Sequence, residues 1–136
     1  MNVLVLIGRI IVGVYYLYNA LNHLVIAPGQ LAQYASAKGV PLPMLAVIVT
    51  GLLLLVGGLS ILLGVYVRLG VFALVVFFVP VTFWMHDFWT VQDPMQRAVQ
   101  MINFVKNLAL MGSALMFLAI PEPWAYSLKL GKKSAA

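Results

Sequence analysis

The chain has 136 residues, of which 64% are hydrophobic and only 8% charged; its formal net charge is +5 and it has no cysteine. A soluble domain is about 45–50% apolar and about 25% charged, and one this small could not keep so many apolar side chains off its surface, so the composition excludes an ordinary water-soluble fold. The absence of cysteine excludes disulfides, thiolate metal sites, Fe–S ligation and thiol–disulfide exchange by this chain.

The first apolar stretch, about 3–25, is long enough to span a bilayer, which takes about 20 residues. Arg9 interrupts it, no basic region precedes it, and no small-residue cleavage site follows before His23, so it reads as a retained span rather than a signal peptide. The connection 28–43 holds a candidate surface helix at 30–38, bounded by Pro28-Gly29 and Gly39, with Leu31, Tyr34 and Ala35 on one face. The second span, about 44–67, carries no charge. A tight turn near Gly64 carries Arg68 into a third span, about 69–86, where Pro80 is expected to kink the helix.

An aromatic and polar connection comes next, and then Asp93-Pro94, a start signal in which Asp caps and Pro takes the first helical position. From there a fourth span, about 94–120, runs to a stop before Pro121 and Pro123, leaving a basic tail at 129–136. Hydrocarbon offers no partner to open strand edges. The expected fold class is therefore all-α: one integral membrane four-helix bundle, with a short interfacial helix between the first two spans. Gly51, Gly57, Gly58, Gly64, Gly112, Ser113 and Ala114 allow close helix contact, expected within the bundle rather than at an oligomer seam.

Four spans place both termini on one side. That side collects Arg68, Lys129, Lys132 and Lys133, with Arg9 expected to snorkel to it, against Lys38, Arg97 and Lys106 elsewhere, which predicts cytoplasmic termini. The basic residues are scattered singly, with no aromatic-interleaved patch, so nucleic acid is not an expected partner. On this topology Asn19, Asn22 and His23 end the first span at the outer side; Trp84, His86, Asp87 and Trp89 end the third there; and Gln96, Gln100, Asn103, Lys106 and Asn107 occupy the outer half of the fourth, the glutamines and asparagines on one face. The cytoplasmic half is expected to hold little beyond Arg9, Tyr15 or Tyr16, and Thr50.

Unpaired polar groups in hydrocarbon cost roughly several kcal/mol each, so this nest should turn inward. One reading pairs Lys106 with Asp87 as a structural ion pair locking the third span to the fourth. The other makes His23, His86, Asp87, Asn103, Lys106 and Asn107 a polar pocket near the outer face, with a quinone head group, a lipid head group or a proton path as candidate occupants. A third is contact with a partner subunit. Two histidines on different helices could ligate haem, but no spacing supports it, and no metal or intrinsic cofactor is expected. No Ser or Cys nucleophile accompanies His86-Asp87, which argues against hydrolase chemistry. Trp84, Trp89 and Trp124 read as interface-belt residues.

A set of motifs runs through the chain: Gly8-Arg9 with Gly13, Gly39-Val40-Pro41, Gly57-Gly58 with Leu63-Gly64, Arg68, His86-Asp87-Phe88-Trp89, Asp93-Pro94, and the run from Asn103 through Lys106-Asn107 to Gly112. On these the chain resembles the DoxX-like family of small four-helix bacterial membrane proteins over nearly its whole length. The family often carries Lys where this chain has His23 and Glu where it has Leu54. The resemblance implies a subunit of a redox system in the bacterial inner membrane, among them systems of the thiosulfate:quinone oxidoreductase type. It implies an accessory or anchor role beside other membrane or redox subunits or a second copy of itself, with a quinone in the pocket. It also leaves open a catalytic quinone-reducing subunit, with His86 or His23 relaying protons, and a small-molecule or lipid transporter.

Overall fold

A computed structural model describes residues 2–130. The expectation of a basic tail lies largely on 131–136, Lys132 and Lys133 included, outside the described residues. Five α-helices succeed one another: α1 (Asn2–Leu21), α2 (Pro28–Ala37), α3 (Pro43–Leu63), α4 (Val67–Met85) and α5 (Pro94–Met116). A π-helical turn, Asn22–Ile26, prolongs α1, and 3₁₀ turns at Phe88–Thr90 and Phe117–Ala119 flank α5. With these extensions four helices are long and apolar enough to cross a membrane: Asn2–Ile26, Pro43–Leu63, Val67–Thr90 and Pro94–Ala119. The protein is a multi-pass helical membrane bundle.

Local chemistry sets the boundaries. Pro28, Pro43 and Pro94 each stand at the start of a helix, where a missing N–H costs nothing. Asp93 caps α5, its Oδ1 accepting from the Gln96 N–H at 2.8 Å. Gly64 ends α3 at φ +69°, where its N–H and that of Val65 both return to the Ser60 carbonyl.

α3 and α4 form the centre, with α1 packed on α3 and α5 on α4. The α1–α3 contact depends on glycine: a Cβ on Gly13 would lie 2.9 Å from Leu62 Cβ, and one on Gly51 would lie 2.8 Å from His23 Cβ. A Cβ on Gly112 meets nothing within 4 Å, so the close approaches fall at the α1–α3 and α3–α4 contacts rather than on the open face of α5. Tyr16, Leu54, Leu74 and Phe78 are the heart of the core.

Arg9 corrects the snorkelling expectation. It is 0% exposed. Its guanidinium donates to the carbonyls of Ile61 (3.1 Å), Leu62 (3.0 Å) and Ala125 (2.8 Å), and lies 5.1 Å from the centre of the Trp124 ring. The last carbonyls of a helix have no donors of their own and carry its negative end; α3 presents them at the level of Arg9, so the charge is satisfied inward. Trp124 is thereby buried at 3% exposure and is not a belt residue, whereas Trp84 and Trp89 remain exposed.

Candidate functional site

In the half of the bundle away from the termini the helices enclose a cavity of about 510 Å³, within the range of small-molecule pockets. Every helix contributes to its wall: His23 comes just after α1, Tyr34 lies on α2, Thr50 on α3, Phe77 on α4 and Asn107 on α5. Most of the lining is apolar, so the polar groups are conspicuous.

The π turn after α1 positions His23. A widened turn of this kind is frequent at functional sites, and Gly51 lets it press against α3. The His23 Nδ1 lies 2.8 Å from the Asn19 carbonyl, and since a carbonyl only accepts, Nδ1 carries the proton. Neutral His23 therefore presents Nε2 as an acceptor. Its ring stands edge-on to Phe77 at 6.1 Å.

His86 is set by a longer chain. Tyr34 Oη donates to the Met85 carbonyl (2.9 Å) and accepts from Gln100 Nε2 (3.1 Å). Gln100 Oε1 then faces His86 Nδ1 at 2.8 Å, which places the proton on Nδ1. In their neutral form both histidines that line the cavity thus leave Nε2 as an acceptor.

Asn107 lies on α5 beside these groups. It is 6% exposed, lines the cavity, and its carboxamide makes no hydrogen bond to the described residues. A buried polar group without a partner costs about 1–3 kcal/mol, and such groups are few in native proteins. Among the described residues the buried side-chain polar atom left without a partner is Thr82 Oγ1, outside the cavity lining, whereas the Asn107 carboxamide is open to the cavity.

Lys106 also lines the cavity but is exposed, about 18 Å along α5 from Pro94. Its Nζ donates to Asn103 Oδ1 at 3.1 Å. It does not pair with Asp87, as the structural reading expected. Asp87 instead bonds Lys38 and accepts from Thr90 Oγ1 at 2.8 Å. The reason is positional: α4 ends at Met85, so Asp87 rises past the helix toward the C-terminus of α2, while Lys106 stays at mid-depth. Asp87 borders a separate shallow depression with Lys38 and Trp89, and Asn103 does not reach the cavity.

Of the six sequence candidates, His23, His86, Lys106 and Asn107 share the cavity, whereas Asp87 and Asn103 stand outside it. Sequence reasoning placed Thr50 in the half with the termini; it lies seven positions into α3 from the opposite end and lines the cavity, its hydroxyl held by the Ala46 carbonyl at 2.7 Å. Tyr15, Asn19 and Tyr34 were not among the site candidates. For Tyr34 the signal existed: the face it shares with Leu31 and Ala35 is the one turned to the cavity. No cluster of three His, Asp or Glu forms among the described residues.

Neither a curated protein nor a solved structure matches the chain. The family model described as DoxX matches residues 4–87, from α1 through His86 and Asp87, and leaves Lys106 and Asn107 beyond its end. With more than half of its length matched, this membrane-spanning bundle belongs to the DoxX family.

Proposed function

We propose that the protein is an accessory or anchor subunit of a membrane redox complex and holds a quinone head group in this cavity. The observation that carries the reading is the convergence of Asn107, His23 and His86 from three parts of the chain on one largely apolar cavity, with the Asn107 carboxamide open to it. Asn107 Nδ2 and Lys106 Nζ supply donors suited to quinone carbonyls. The Nε2 atoms of His23 and His86 supply acceptors suited to the hydroxyls of the reduced form. Both forms therefore find complementary groups, and the apolar remainder of the wall suits a ring.

Arg68 and Lys129 at the end with the termini, with Lys132 and Lys133 further along the sequence, support cytoplasmic termini in a bacterial inner membrane. Lys106 supports a partner as well as a ligand: Asp87 is engaged by Lys38, Asp93 caps α5, and Glu122 belongs to the opposite end, so no Asp or Glu side chain among the described residues serves it. The test is purification from native membranes in mild detergent, with organic extraction and mass analysis. Stoichiometric quinone and co-purifying redox subunits are expected; a quinone-free protein without companions would contradict the proposal.

A further inference from the structure

We propose that the ligand of this cavity arrives sideways from the bilayer, through an opening between α3 and α4 at Pro80, and leaves its apolar tail there. The inference rests on the cavity being a ligand site and names the class of ligand: a membrane-dissolved molecule with a compact polar head and a long apolar tail.

The rim of the cavity is where the route shows. Val49 (47% exposed), Val76 (40%) and Trp84 (46%) line the cavity while facing outward, as does Pro80. Val49 lies about 9 Å along α3 from Pro43, and Val76 about 14 Å along α4 from Met85. At that depth the bundle meets hydrocarbon rather than water. Pro80 has no N–H, so the carbonyl of Val76 loses its helical donor at this rim and the two helices need not stay parallel.

The aqueous end is covered by α2, whose Leu31, Tyr34 and Ala35 face the cavity. Three ties hold α2 and its C-cap to the end of α4 and to Asp87 just beyond it: Tyr34 Oη to the Met85 carbonyl at 2.9 Å, Trp84 Nε1 to the Lys38 carbonyl at 2.9 Å, and Lys38 to Asp87. The polarity gradient matches. Asn107 and His23 are inside, and valine and proline form the rim, so a head group is oriented inward and a tail outward.

The test uses the full chain in phosphatidylcholine nanodiscs, with stopped-flow tryptophan quenching by decylubiquinone and by the same ring without a tail. Val49→Phe and Val76→Phe, on separate helices and both at exposed positions, narrow the opening; each is checked for native melting, so one suffices if the other misfolds. Both are expected to slow decylubiquinone uptake by about tenfold, and to weaken its binding more than that of the tail-less ring. Lys38→Met, which loosens α2, is expected to leave uptake within about twofold. Uptake accelerated by Lys38→Met and indifferent to both phenylalanines would overturn lateral access while leaving the pocket intact. No uptake by the wild type would overturn the quinone reading itself, and this route with it.

Discussion

His86 Nδ1 lies 2.8 Å from Gln100 Oε1, across the gap between the end of α4 and the first turns of α5. Because Gln100 also donates to Tyr34, whose own proton goes to a backbone carbonyl, the amide cannot turn round without losing a bond. The tautomer of His86 is thus set from α2, through two side chains.

Gln100→Leu should release that tautomer. ¹⁵N spectra of the imidazole should show the Nδ1–H form in the wild type and a mixture in the variant, with weaker quinone retention. A variant that keeps a pure Nδ1–H signal would show that Gln100 does not set it.

Arg9→Met should be among the most damaging single changes. It strips three carbonyls of their charged donor at the end of α3 and frees the segment around Trp124. A loss of about 3 kcal/mol or more is expected, read as a lower Tm in detergent and as faster proteolysis after Ile120. Arg9→Lys should recover only part, since an ammonium lacks the fork that reaches three acceptors.

Glycines separate the site from the bilayer-facing surface. Gly51→Val would drive a side chain into His23 and Leu24 and displace the π turn. Quinone binding should fall by at least about tenfold, with a stability loss of about 1–3 kcal/mol. Gly112→Ala meets open space and should stay within about 0.5 kcal/mol. Equal effects of the two on binding would detach the π turn from the site.

Lys106 distinguishes a site from a brace. With Asn103 as its partner and no carboxylate near, Lys106→Met should leave the melting temperature unchanged or raised while reducing quinone retention. Lys38→Met should cost at most about 1 kcal/mol, because its ion pair with Asp87 is partly exposed and two other bonds hold α2. Unfolding of Lys106→Met would restore the structural reading of that residue.

Helical periodicity and punctuation made much of this bundle legible. Asp93-Pro94 opens α5 as its chemistry requires, the face of Leu31, Tyr34 and Ala35 covers the cavity, and the stripe through Gln100, Asn103 and Asn107 becomes progressively covered while Gln96, above the bundle, stays exposed. What failed was pairing between elements. Charge alone favoured Lys106 with Asp87, yet the depth difference between them and the arrival of Lys38 from α2 decided otherwise. Arg9 was misplaced because nothing in its own neighbourhood signals that the carbonyls of Ile61 and Leu62 come to meet it. The π turn was invisible for a similar reason: it depends on room that Gly51 provides from another helix.

The most direct measurement is the melting temperature of Asn107→Leu with and without decylubiquinone, beside the wild type. If the carboxamide waits for a ligand, the variant melts no lower than the wild type without quinone, since an amide open to the cavity has been replaced by an apolar side chain in a largely apolar wall, and quinone raises the wild-type value alone. A variant that melts several degrees lower on its own, or that is stabilised by quinone as much as the wild type, would show that Asn107 serves the fold and that this cavity is not the site.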